Sequence, residues 1–226
     1  MKLEKDPVLY ASLLQVIHRG TAQILEETEE GIFLMDTVSN GFMMAVDSIE
    51  LGIEWIKKHS DLNYQLFFTY HKEIAEFVKK KYELSETLEC YQAAYLLESV
   101  PVCEYDFQIR CAVQNDFAEI KKNYDKLSDE ELKKVIERKK LFLAFQDEQL
   151  VGFVGEHLEG SMGLLEVLPD FRRRGYGSAL EYFMISYMKE NHLIPFCQVE
   201  VDNCKSLALQ QKLGMTISKE RIYLAF

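Results

Sequence analysis

The sequence predicts an α/β protein, because short apolar runs of strand length alternate along its length with segments whose apolar residues recur at helical spacing. Two further observations set its organisation. A proline interrupts Leu97-Glu98-Ser99-Val100-Pro101-Val102-Cys103, so the chain divides into a smaller stretch, 1–100, and a larger one, 104–226. The segment Val167-Leu168-Pro169-Asp170-Phe171-Arg172-Arg173-Arg174-Gly175-Tyr176-Gly177-Ser178 then leads a strand into a helix through three arginines and two glycines. With 226 residues, 48% of them apolar, there is material for one large or two small cores.

In the first stretch, Asp6 and Pro7 are placed as the cap and first turn of a helix carrying Leu9, Leu13, Leu14 and Ile17, closed by Gly20. Strands follow at 22–27, 31–35 and 42–46, with a turn at Ser39-Asn40-Gly41. Asp47-Ser48 starts a helix that ends in Lys57-Lys58-His59, where basic side chains suit the negative helix end. A strand at 65–69, a helix with Ile74, Ala75, Phe77 and Val78, and a strand at 87–96 complete it.

The second stretch reads as a strand at 108–113 and helices at 116–127 and 128–139, with Ser128 and Glu131 spaced as a capping box. Strands at 141–146 and 149–157 flank a turn at Asp147-Glu148, and Met162 to Leu168 is the strand that enters the arginine loop. Helix 175–191, strand 196–201, helix 204–213 and strand 216–225 follow. Its final strand, helix and strand run parallel to those of the first stretch, so the first half is expected to be a degenerate copy of the second. An unrelated α/β packing domain would give the same order. In that copy Met44-Ala45-Val46-Asp47-Ser48-Ile49 stands where the arginines and glycines should be.

The loop suits an anion. Gly175 and Gly177 lack side chains that would hold a ligand off the backbone, and a helix N-terminus presents unpaired N–H groups. Arg172, Arg173 and Arg174 add forks that match phosphate oxygens. A dinucleotide fingerprint needs a third glycine where Leu180 stands, and the Gly-Lys-Ser/Thr of a Walker loop is absent. A basic turn needing its glycines only for geometry is the plainer alternative.

What remains, Arg-x-x-Gly-x-Gly after Val-x-Pro, resembles the coenzyme A loop of the GNAT superfamily of N-acetyltransferases. The segment Asn203-x-x-Ser206-x-x-Leu209-x-x-Lys212-Leu213-Gly214-Met215 resembles that superfamily's Asn-x-x-Ala-x-x-Leu-Tyr-x-Lys-x-Gly-Phe. The resemblance implies a mixed, mostly antiparallel central sheet flanked by helices, with acetyl-CoA as co-substrate. It implies coenzyme contacts from Val167, Leu168, Arg172, Arg173, Arg174, Gly175, Tyr176, Gly177, Ser178, Asn203, Ser206 and Gln210. Asn203 is equally an ordinary helix cap. Gln210 stands where the family's thiolate-protonating tyrosine belongs, so another acid, Tyr176 or Tyr223, or none at all is implied.

In the family, a backbone N–H of the strand before the loop, here Val167 or Leu168, stabilises the carbonyl oxygen as it gains charge. For the base that takes the acceptor's proton, Glu166 is the candidate, because it stands alone among Leu164, Leu165, Val167 and Leu168; a structural ion pair or a solvated face would also place it there. Glu156 and His157 are reserves. The wording of 165–169, 172–177 and 194–199 further resembles the glycine N-acyltransferase-like branch, which implies a small amine or amino acid as acceptor.

Composition excludes several classes. A net charge of −11, with −8 on residues 1–103, argues against nucleic acid. No run is long enough for a membrane span, and the polar start lacks a signal peptide's apolar core, so a cytoplasmic location is expected. The five cysteines, Cys90, Cys103, Cys111, Cys197 and Cys204, have no Cys-x-x-Cys spacing, and the histidines are scattered, so no metal site is expected. Two like halves would make the chain its own pseudo-dimer, a monomer or at most a weak homodimer. The alternative to an enzyme is a non-catalytic acyl-CoA-binding module whose first half meets a partner.

Overall fold

The computed structural model describes residues 3–101 and 105–226, so Val102 and Cys103 of the expected linker, and Glu104, lie outside the described residues. It has the expected class, mixed α/β with mostly antiparallel sheets flanked by helices. The chain forms two compact units that are not consecutive in sequence: Met1–Ala94 with Gln198–Gln211 and Met215–Phe226, and Tyr95–Cys197 with Lys212–Gly214.

The first unit opens with α1 (Ala11–His18). Its start is four residues later than Pro7: the Asp6 carboxylate accepts the Leu9 N–H at 2.9 Å and closes a turn, so Asp6 caps that turn and not the helix. There follow β1 (Ala22–Thr28), β2 (Gly31–Asp36), β3 (Phe42–Val46), α2 (Ile49–Lys58), β4 (Phe67–Thr69), α3 (Lys72–Tyr82) and β5 (Thr87–Ala94). Ser48 caps α2 by accepting the Leu51 N–H. α1 packs Leu13 and Val16 against Leu34, Met43 and Phe68, and the other side of the same strands packs Phe33, Phe42 and Phe67 against Trp55, Ile74 and Val78. At the β2 turn, buried Asp36 takes the Arg19 guanidinium at 2.7 Å, the Thr21 hydroxyl, and both the N–H and hydroxyl of Ser39.

The second unit carries β6 (Gln108–Cys111), α4 (Phe117–Asn123), α5 (Asp129–Glu137), β7 (Leu141–Gln146), β8 (Gln149–Glu156), β9 (Met162–Val167) and α6 (Tyr176–Glu190). The strands form an antiparallel sheet in the order β6-β7-β8-β9. One face holds α4 and α5 through Ile120, Leu132, Val135 and Ile136 on Leu141, Leu143, Phe153 and Leu164. The other holds α6, where Phe183 and Tyr187 meet Phe142 at 5.0 and 4.7 Å. The capping box is present, Ser128 accepting from Glu131 N–H and Glu131 from Ser128 N–H. α4 stops at Asn123 and not at Leu127, because Tyr124 is extended and the Leu127 carbonyl accepts from Lys121 instead.

β10 (Phe196–Glu200), α7 (Cys204–Lys212) and β11 (Thr216–Ala225) end the chain. The second sheet runs β1-β2-β3-β4-β11-β5-β10, so β11 lies between β4 and β5, antiparallel to both, while β3 and β4 pair in parallel. Among the described residues no helix is long and apolar enough to cross a membrane.

Candidate active site

The site lies in the second unit, where β9 turns into α6. β9 is an edge strand whose pairing with β8 shifts register between Phe153 and Gly155, and Leu164 there takes a φ of +50°. That bulge kinks the strand just before its last residues. Beyond it, Leu168 N–H is bonded to the Val151 carbonyl at 2.9 Å. Leu168 therefore has no N–H for a ligand, which removes it as the oxyanion donor. Val167, opposite Gly152, falls on the alternate position, so its N–H and C=O both face away from β8. The carbonyl confirms the direction, since it accepts the Arg172 Nε–H at 2.8 Å.

The loop proper begins with a 3-10 turn at Pro169–Phe171. Arg173 and Gly175 then take left-handed φ values of +64° and +90°, and the first helical bond of α6 runs from Ala179 N–H to the Gly175 carbonyl. The helix thus gives no partner to the N–H groups of Tyr176, Gly177 and Ser178. A Cβ at Gly177 would meet only Val167 Cγ2, at 3.8 Å, and Gly177 has no left-handed φ. Neither packing nor backbone geometry within the chain requires a glycine there, although glycine costs helix stability. Gly177 therefore leaves open space at the first turn of α6.

The three arginines divide. All three are exposed, with Arg174 lying over the Phe171 ring at 5.6 Å. Arg172 turns back instead, with Nε on the Val167 carbonyl and Nη2 on Glu166 Oε1, both at 2.8 Å. These bonds engage Nε and Nη2 within the protein, while the side chain stays 58% exposed. Glu166, expected as an isolated carboxylate among leucines, has an ion-pair partner and is one-quarter exposed. It lies on the sheet face of α4 and α5, where its charge, after burial itself, helps push the Tyr124 phenol up to about 12. Neither Tyr124 nor the Leu164 bulge was legible beforehand, since both depend on the folding of distant segments.

Other candidates are placed elsewhere. Glu156 is buried in an ion pair with Lys140 at 2.9 Å, near Tyr187 of α6, as a structural pair. The His157 ring lies over Gly163 at the end of the β8–β9 hairpin. Tyr176 is buried, packs on Phe107 and Phe171, and donates its hydroxyl to Gln146 Oε1 at 3.1 Å; Gln146 in turn donates to Asp106. Burial, then Asp106, raises its pKa, and a phenol so engaged beneath the loop is not the free acid envisaged for the leaving sulfur. Tyr223 belongs to β11 of the first unit, where burial and Glu89 raise its pKa. Asn203, Ser206 and Gln210 lie on or before α7, also in the first unit; Asn203 Oδ1 accepts the Ser206 N–H at 3.1 Å as a helix cap, and Gln210 is buried. Among the described residues no group of histidine, cysteine and acidic side chains could hold a metal.

Residues 108–215 match the acetyltransferase (GNAT) family. That stretch is a GNAT-family domain. Its bounds take in β6 through α7, including the arginine loop and the Leu164 bulge. Solved structures extend the likeness of fold beyond the domain. A Drosophila melanogaster protein superposes with a TM-score of 0.66 at 14% identity, over 87% of this chain and 74% of its own. A putative GNAT-family acetyltransferase from Novosphingobium aromaticivorans gives 0.59 at 12% identity, over 96% and 95%. A GCN5-related N-acetyltransferase-like protein from Streptococcus suis gives 0.57 at 11%, over 99% and 98%. No curated protein matches the chain.

Proposed function

We propose that the protein is an N-acetyltransferase that moves the acetyl group of acetyl-CoA to the primary amine of a small molecule by direct attack on the thioester. The observation that carries the reading is the opening of α6: three unpartnered N–H groups beside exposed Arg173 and Arg174, with Gly177 leaving room that the chain itself does not need. Those groups take the coenzyme's pyrophosphate. Acetyl-CoA supplies the activated acyl carbon. Val167 N–H, on the open side of β9, donates to the carbonyl oxygen as charge develops on it. Glu166 accepts the amine's proton as the C–N bond forms and the C–S bond breaks. The thiolate, whose conjugate acid has an ordinary pKa of about 8.5, leaves without a dedicated acid.

Residues 104–226 are read as the catalytic domain in sequence terms and residues 1–100 as its degenerate repeat. The support is element order: α1-β1-β2-β3-α2-β4-α3-β5 parallels α5-β7-β8-β9-α6-β10-α7-β11. The copy has no comparable opening, because β3 pairs along its free side with β4 and the His71 ring bonds the Val46 carbonyl at 2.8 Å. We assign that half a structural role. The wording shared with the glycine N-acyltransferase-like branch favours an amino acid or similar small amine as acceptor.

The test is calorimetric titration of acetyl-CoA into wild type and into the R174A/G175A/G177A variant, followed by thiol release with a panel of primary amines. Binding in the micromolar range, about −8 kcal/mol, that is lost in the variant is expected. Absence of binding by folded wild type refutes the reading. Binding without turnover on any amine would make the protein an acyl-CoA-binding module.

A further inference from the structure

The arginine that opens the loop is 58% exposed, yet one side of its guanidinium is already bound by the protein itself. Arg172 joins three things: the loop that carries it, the carbonyl of Val167 at the open side of β9, and the carboxylate of Glu166. The two bonds use Nε and Nη2, the parallel donors on one side of the guanidinium fork. A lysine has one point of charge and cannot hold both acceptors in a fixed plane. Val167 and Glu166 are adjacent and point to opposite faces of the strand, so a group bound to both fixes the strand's rotation at its last residues. This matters because β9 is weakened just upstream: the Leu164 bulge breaks its register with β8, and beyond the bulge β9 has a sheet partner on one side alone among the described residues.

We propose that Arg172 is a positioning residue, not a coenzyme ligand: it clamps the end of β9 to the loop, so that the Val167 N–H and the Glu166 carboxylate are held in register with whatever the loop binds. The proposal rests on the acetyltransferase reading and goes beyond it by dividing the arginine run into one internal clamp and two external anchors. Binding of coenzyme and chemistry on it then depend on different arginines, one residue apart.

The experiment compares R172A, R172K and the R173A/R174A pair with wild type in the full chain. Calorimetry with coenzyme A gives the dissociation constant, and thiol release from acetyl-CoA with an accepted amine gives kcat and KM. For R172A we expect coenzyme A affinity within about threefold of wild type and kcat lowered at least tenfold, with R172K intermediate. For R173A/R174A we expect affinity at least tenfold weaker and kcat at saturation little changed. The E166Q/R172A double variant is expected to be no more than about threefold slower than the slower single variant, because the two residues act as a unit. In amide NMR spectra, coenzyme A should shift the Val167 signal in wild type, and much less in R172A at equal saturation. R172A weakening coenzyme A as much as R173A/R174A does, with kcat unchanged, overturns the proposal alone. So do single-variant losses that simply multiply. Wild type that fails to bind coenzyme A overturns the acetyltransferase reading and this proposal with it.

Discussion

Replacing Gly177 by alanine should make the protein more stable and less able to bind coenzyme A. The new Cβ would meet only Val167 Cγ2 at 3.8 Å, an ordinary contact, and the backbone there is helical and not left-handed. Alanine is favoured over glycine in a helix by up to about 1 kcal/mol, part of it through the unfolded chain. Near the first turn about 0.5–1 kcal/mol is reasonable, a rise in Tm of about 1–4 °C for a chain of this size. In the bound state the same methyl stands over N–H groups meant for phosphate, and losing one or two charge-assisted bonds at about 1.5–3 kcal/mol each weakens binding at least tenfold. Gly175 is the contrasting neighbour. Its φ of +90° strains any L side chain, so G175A should lower stability by about 1–2 kcal/mol although nothing stands within 4 Å of its Cβ. Scanning calorimetry and coenzyme A titration on both variants read the two effects separately. G177A binding coenzyme A like wild type would refute the placement of the pyrophosphate on α6, and G177A losing stability would refute the account of the empty space.

Glu166→Gln should cut kcat about 10²- to 10⁴-fold with coenzyme A affinity unchanged; a normal rate would remove Glu166 as the base. Burial disfavours the Asp36 carboxylate, but the Ser39 and Thr21 hydroxyls and the Arg19 guanidinium outweigh it and hold its pKa below the ordinary value. Its contribution is therefore fully present above the unfolded pKa of about 3.9 and is lost as pH falls through the lower folded value. Asp36→Ala should cost about 3–5 kcal/mol at pH 7, because Arg19 is left buried without its carboxylate; urea midpoints between pH 7 and 2 should show the variant's deficit shrinking at the acid end. Burial, followed by nearby Glu200, Glu89 and Asp202, pushes the Cys90 thiol up to about 12, whereas Cys204 is exposed. A maleimide followed by peptide mass mapping should label Cys204 rapidly in the native protein and Cys90 only on unfolding.

Much of this molecule is written locally. The Asp147-Glu148 turn, the Ser128 capping box, the Ser48 cap and the glycines at the start of α6 are each decided by a few neighbouring residues, so strand and helix positions in 141–190 could be read within a residue or so. The likeness of the loop to an anion-binding turn was legible for the same reason. What sequence could not supply was which groups were already engaged. Glu166 looked solitary because its partner lies six residues on, around a turn, and Tyr176 looked available because Gln146 is thirty residues away. Leucine at 164 carries no sign of a left-handed φ; the bulge is imposed by pairing with β8. The two-stretch division followed the proline, but strand pairing at β11 is a long-range matter that no local signal announces.

That pairing has a consequence for how the chain is made. β11 sits between β4 and β5, with Tyr223 opposite Thr69 and Leu224 opposite Leu88. While residues 1–94 leave the ribosome, the middle of their sheet does not yet exist. β4 and β5 each present an open strand edge to the cell until β11 has been synthesised. The nascent first unit must wait, exposed to mispairing with other chains, and its closure spans a long loop whose ends meet slowly. The emergence of β11, and not the appearance of the N-terminal residues, is the event that lets this unit become a finished body.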